Sequence, residues 1–264
     1  MASSSKTKTD VSTSKVAKSK TISKQPKKFR ARARYDIPPG FEYLTKIDRL
    51  IIRQDPDLSM VLKQRQPPRN IYSIRNARNT EIYFASETAD CCARHCCGDW
   101  RRFEIDMEDR DRRTIMRLKR PVRCQCCWAC CCLQKMTVYA PLNDILGFVV
   151  QDWSIWWPRL SIRNRTNETV LEIRGPCCTC SCLLDVNFAI VTLSKNESDG
   201  VAKQIGRISK LWKGIIQSVA ARVDTYEVTF PVDLDVRYKA LLLAASFLID
   251  YMYYEDTNEF DQHF

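Results

Sequence analysis

Phe103, Ile105 and Met107 alternate with Glu104, Asp106 and Glu108, the period-two signature of a strand with one buried face. The polar run Glu108-Asp109-Arg110-Asp111-Arg112 follows, and Ile115, Met116 and Leu118 restart the apolar pattern, so the two segments read as a hairpin. The same unit recurs at 70 to 84, folding back through Asn76-Ala77-Arg78-Asn79, and at 159 to 173, folding back through Arg165-Thr166-Asn167-Glu168. Further strand-like runs occupy 136 to 139, 145 to 151, 186 to 193, 201 to 208 and 226 to 230. Short strands joined by polar turns in this number predict a mainly β sandwich or barrel.

The pattern changes near the C-terminus. Residues 239 to 254 are apolar on every side at helical spacing, which predicts a helix over about 237 to 254. A bilayer span takes about 20 largely apolar residues, and this stretch is shorter and contains Asp250. A barrel of ten or twelve strands has a lumen too wide for side chains alone to fill. The segment is therefore expected inside the β-wall rather than in lipid.

The net charge of +11 is concentrated at one end. Residues 1–34 hold 11 Lys or Arg against Asp10 alone, and without them the chain has 31 basic and 30 acidic residues. Residues 1–36 thus read as a disordered basic Ser/Thr/Lys-rich arm, a solvated tail or one drawn to anionic head groups at about 1 kcal/mol per cation. Nucleic acid is the weaker partner, because no aromatic side chain is interleaved with the charges before Phe29.

The first twenty residues lack the apolar core of about 7–15 residues that a secretory signal needs, so a reducing setting is expected. There the 14 cysteines suit metal ligation, acylation or burial better than disulfides. They fall in three clusters between strands: Cys91, Cys92, Cys96 and Cys97; six within residues 124–132; and Cys177, Cys178, Cys180 and Cys182. Pairs such as Cys177 and Cys180 have a zinc-like bite, so Cys91, Cys92, Cys96, Cys97, Cys177 and Cys180 form one candidate Zn²⁺ set. Adjacent cysteines on extended backbone point to opposite faces, which suits a single ion poorly. Acylation is the other use, and Cys126, Cys127, Cys130, Cys131 and Cys132 around Trp128 are its candidates, since two or more chains make a stable anchor.

Catalysis finds little support. His95 and His263 are the two histidines, no GxxxxGK[ST] or GxGxxG occurs, and the chain has 7 glycines. The protein is not expected to be an enzyme.

Several stretches resemble the phospholipid scramblases. They include Pro38-Pro-Gly-Phe-Glu-Tyr-Leu44, Asp90-Cys-Cys-Ala-Arg-His-Cys-Cys97, Leu118-Lys-Arg-Pro-Val-Arg-Cys124, Gly206-Arg-Ile-Ser-Lys-Leu-Trp212, Phe230-Pro-Val-Asp-Leu-Asp-Val236 and Phe247-Leu-Ile-Asp-Tyr-Met252. The resemblance implies a tubby-like domain over 37–256, a closed antiparallel barrel of about twelve strands enclosing the hydrophobic C-terminal helix, with an acidic tail at 257–264. It implies calcium-stimulated, ATP-independent, bidirectional movement of phospholipids between leaflets. It also implies palmitoylation, the family's run falling on Cys127, Cys131 and Cys132, and residence at the cytoplasmic face of the plasma membrane. The family's calcium segment falls on 222 to 233, where Asp224, Glu227, Thr229 and Asp233 could offer oxygens. Arg222 replaces an acid there and Glu227 a glycine, so Ca²⁺ affinity is expected to be weak, about 10⁻⁴–10⁻³ M. A nuclear-import-like segment carries Arg207, Lys210 and Lys213, a basic stripe if helical, which implies a nuclear pool and an import receptor. Implied partners are phospholipids, the membrane surface and further copies of the chain. The alternative function is a membrane-tethered lipid-binding adaptor or nuclear regulator of tubby-like type.

Overall fold

The computed structural model describes residues 37–54, 70–88, 102–123, 133–141, 144–177, 186–193, 202–211 and 225–254. Twelve antiparallel strands succeed one another: β1 (Arg49–Gln54), β2 (Ile71–Asn76), β3 (Glu81–Thr88), β4 (Phe103–Glu108), β5 (Thr114–Arg120), β6 (Lys135–Tyr139), β7 (Ile145–Asp152), β8 (Arg159–Asn164), β9 (Thr169–Arg174), β10 (Val186–Thr192), β11 (Lys203–Lys210) and β12 (Thr225–Thr229). Each pairs with its neighbours in sequence, and β12 pairs back onto β1 with Arg49 opposite Thr229 and Arg53 opposite Thr225. The sheet is thus a closed barrel, which removes the unpaired edge that an open sheet would present.

Eleven of these strands are the runs that alternation predicts. The twelfth, β1, closes the barrel and is masked in the sequence by the continuous triplet Leu50-Ile51-Ile52. In the fold Leu50 and Ile52 face the core and Ile51 faces out.

Consecutive connections of an up-and-down barrel lie at alternate ends, so the two ends differ. At one, the turn end, three hairpins share one device. Asn76 Oδ1 accepts from the N–H groups of Arg78 and Thr80, Asp109 Oδ1 from those of Asp111 and Arg113, and Asn164 Oδ1 from that of Glu168. Three residues on, Asn79, Arg112 and Asn167 adopt φ of 59°, 60° and 62°, the left-handed step of a short bulged hairpin. At the other end, the loop end, the connections run between β1 and β2, β3 and β4, β5 and β6, β7 and β8, β9 and β10, and β11 and β12.

The helix α1 (Val236–Tyr253) enters from the turn end and fills the lumen, rising about 27 Å at 1.5 Å per residue. Asp235 caps it by accepting the Arg237 N–H at 2.9 Å. Every residue from Lys239 to Met252 is buried, as an all-round apolar helix demands. Gly147 of β7 lets the wall come close: a Cβ there would lie 2.8 Å from Leu241 Cδ1 and 2.3 Å from the Arg163 carbonyl. Aromatic pairs line the helix's upper half, Tyr72 with Phe247 at 5.0 Å and Phe103 with Tyr251 at 4.6 Å between ring centroids. Among the described residues no helix is long and apolar enough to cross a membrane.

The two ionisable groups that α1 buries in this interior, Lys239 and Asp250, are both partnered. Lys239 Nζ donates to the carbonyls of Leu44, Ile47 and Val232, each at 2.8 Å, which ties α1 to a 3-10 turn at Glu42–Lys46 plugging the turn end. Near the loop end, Tyr72 and Tyr226 donate to the two oxygens of Asp250 at 3.0 and 2.5 Å. Asp250 therefore faces the protein interior.

Candidate functional site

Strand β12 carries the central part of the calcium segment. Tyr226 and Val228 point into the barrel, which puts Glu227 and Thr229 together on the outer wall. Arg49 Nη1 lies 3.0 Å from one Glu227 oxygen and Arg207 Nη2 3.9 Å from the other, one arginine from each flanking strand. The Thr229 hydroxyl donates to the Arg207 carbonyl at 3.4 Å. Asp233 is exposed in the turn leading to α1, and Asp224 lies outside the described residues. The carboxylate most central to the candidate Ca²⁺ set is thus already neutralised by two cations, which raises the cost of turning it to a metal.

The import-like residues separate. Arg207 and Lys210 lie on β11, where a spacing of three puts side chains on opposite faces, so the basic stripe that a helix would form does not form between them. Arg207 faces out toward Glu227. Lys210 turns toward the helix end, with its ammonium 4.1 Å from the Tyr254 ring centroid. Lys213 lies outside the described residues.

All three cysteine clusters belong to connections at the loop end. The chain leaves at Thr88 and returns at Arg102, leaves at Arg123 and returns at Leu133, and leaves at Cys177 and returns at Val186. Cys177 is exposed. Cys91, Cys92, Cys96, Cys97, Cys126, Cys127, Cys130, Cys131, Cys132 and Cys180 lie outside the described residues, among which no group of three or more metal-ligating side chains occurs. The two residues flanking 124–132 are tied together, Arg123 Nη1 donating to the Leu133 carbonyl at 2.7 Å. Behind them the buried Arg120 donates to Gln134 Oε1 at 2.8 Å and covers the Tyr251 ring at 4.0 Å. The cysteine-rich segment thus springs from a rigid base that also grips the end of α1.

Two features of this end are not singled out by the alternation. A groove of about 540 Å³ beside the exit of β5 is lined by Arg102, Arg120 and the Lys119–Glu104 ion pair at 3.2 Å, together with Phe103, Val122 and Tyr139. Between β7 and β8, Trp153, Ile155, Trp156 and Trp157 stand 54%, 69%, 72% and 49% exposed. The signal for the second was present in Trp153-Ser-Ile-Trp-Trp-Pro158, four large apolar residues in a stretch with no period-two or helical repeat.

A closed antiparallel barrel of twelve strands threaded by its own C-terminal helix, with the exits toward its three cysteine clusters at one end, defines the class. The model of the Scramblase family matches residues 30–256. The chain is 42% identical over 222 residues to phospholipid scramblase 2 of Bos taurus, covering 84% of this chain and 73% of that protein. To phospholipid scramblase 1 of Homo sapiens it is 40% identical over 227 residues, 86% of this chain and 69% of the relative. To phospholipid scramblase 4 of Homo sapiens the figures are 36% over 224 residues, 83% and 65%. The chain belongs to the Scramblase family.

Proposed function

We propose that the protein moves phospholipids in both directions between membrane leaflets, without ATP and stimulated by Ca²⁺, as a translocator rather than an enzyme. The observation that carries this reading is the family match over 30–256, which spans every strand of the barrel and the whole of α1. Palmitoyl chains on cysteines of 124–132, with Cys126, Cys127, Cys130, Cys131 and Cys132 as candidates, hold the loop end against the cytoplasmic face of the plasma membrane, and the basic arm adds attraction to anionic lipid. The Ca²⁺ response runs through Asp224, Glu227, Thr229 and Asp233, and is weak because Arg49 and Arg207 compete for Glu227.

The lumen is occupied by α1, so lipid does not pass along the barrel axis while the barrel stays closed. Head groups instead cross over the outer surface, where the groove near β5 presents Arg102 to phosphate, with Lys119 drawn to Glu104 at 3.2 Å beside it, and Val122 and Tyr139 to acyl chains. Purified protein reconstituted with fluorescent lipids tests the proposal: leaflet exchange on addition of Ca²⁺ supports it. Binding without exchange would leave the lipid-binding adaptor in its place.

A further inference from the structure

We propose that the loop joining β7 to β8 is a membrane-docking element, whose indoles enter the head-group interface of an anionic bilayer and hold the barrel with its loop end against lipid. The inference rests on the membrane reading above and adds the residues and orientation by which the chain meets the surface.

Trp153, Ile155, Trp156 and Trp157 form the largest run of exposed apolar side chains among the described residues. A contiguous patch of this kind on a soluble surface marks a contact. Its backbone is held, so the exposure belongs to a fixed platform. The Trp157 N–H donates to Ser154 Oγ at 3.3 Å, and the Gly175 N–H donates to the Pro158 carbonyl at 2.8 Å. A Cβ on Gly175 would come within 2.9 Å of Pro158 Cβ and 2.6 Å of the Phe188 ring, so β9 and β10 brace the base of the loop. Rigid backing with outward indoles suits insertion, because little ordering entropy remains to be lost on contact.

The surroundings select a bilayer over a protein partner. Indole combines an apolar body with an N–H donor and concentrates where acyl chains meet head groups. Arg159 opens β8 directly after the loop, Arg174 lies opposite it in register, and both are exposed. Arg174 is engaged with Glu172 at 2.8 Å, whereas Arg159 has no ion pair among the described residues. The turn end, by contrast, interleaves its acids Asp48, Glu81, Asp109, Asp144 and Glu168 with Arg78, Arg110, Arg112, Arg113 and Arg165, so its charges largely offset one another and the loop end is the one an anionic surface attracts. Exposed Cys177, and the exits toward the other two cysteine clusters, share the loop end.

The test uses the full-length chain free of acyl groups and sedimentation with vesicles of phosphatidylcholine containing phosphatidylserine. Replacing Trp156→Ser and Trp157→Ser together is expected to lower vesicle affinity at least about tenfold, since two exposed indoles no longer leave water on binding. Thermal unfolding should stay within the range of surface substitutions. Trp156→Phe with Trp157→Phe should recover most of the affinity, and shallow brominated lipids should quench tryptophan emission in the parent but much less in the serine variant. Vesicle affinity unchanged within twofold in a folded serine variant overturns the proposal. So does a serine variant that converts a dimer to a monomer at constant vesicle affinity, which would assign the loop to a second copy. Wild-type protein that docks through these indoles yet exchanges no lipid would refute the scrambling reading and leave the docking inference standing.

Discussion

Lys239 has no exposed surface, yet its ammonium is fully used by the carbonyls of Leu44, Ile47 and Val232. Burial pushes its pKa down to about 8, against the upward pull of Asp233, Asp48 and Asp235. In the unfolded chain the same group holds its proton to the ordinary value of 10.5. Below pH 8 both states are protonated and the burial cost is fully present. Between 8 and 10.5 the folded state binds fewer protons, so stability rises with pH by at most about 1.4 kcal/mol per unit. Above pH 10 the gain is opposed, because burial pushes Tyr253 up to about 12 and Tyr83 also upward, so that the unfolded chain loses those protons first. Lys239→Met should cost on the order of 3 kcal/mol at pH 7 by orphaning three carbonyls. The difference between parent and variant in urea unfolding should widen from pH 8 to 10; a difference flat with pH would contradict the assignment. On the outer wall, Arg49→Gln removes the nearer competitor for Glu227. If Glu227 ligates Ca²⁺, this variant should bind it several-fold more tightly by isothermal titration, and unchanged heats would exclude Glu227 from the site.

At the scale of elements, the wall and the helix explain each other. Twelve strands cannot fill their own lumen, and a helix apolar on every side cannot stand in water, so each supplies what the other lacks. This mutual need is what made the fold legible in the sequence: eleven strands announced themselves by alternation, and α1 by its length and the presence of Asp250. β1 escaped because Ile51, facing out, fills the polar slot between Leu50 and Ile52. The partners of Asp250 could not be read either, since Tyr72 and Tyr226 are brought to it by pairings across 178 and 24 residues of chain. The tightness of the contact yields a prediction. Gly147→Ala drives a methyl against the Arg163 carbonyl and Leu241, and should destabilise by about 1–3 kcal/mol in chemical denaturation, as overpacking does. A neutral result would mean that α1 does not press on β7.

The whole molecule is polarised along the barrel axis. One end is closed by short hairpins of mixed charge and the 3-10 turn, and the other carries cationic strand ends, exposed indoles and the exits toward every cysteine cluster. The sequence displayed these parts but not their common end, because clusters at 91–97, 124–132 and 177–182 converge only once strand order is known. The candidate site was legible in the same partial way. Glu227 and Thr229 do share a face, but the arginines that hold Glu227 come from strands 178 and 20 residues away. With the lumen filled and the greasy end defined, lipid transfer at the outer surface is the account's central claim. The most direct test places the purified chain in vesicles whose fluorescent phospholipid is spread over both leaflets and bleaches the outer one with an impermeant reductant. The account predicts that millimolar Ca²⁺, with no ATP, carries the bleaching past the outer-leaflet half toward completion; bleaching that stops at half, with the protein bound, would contradict it.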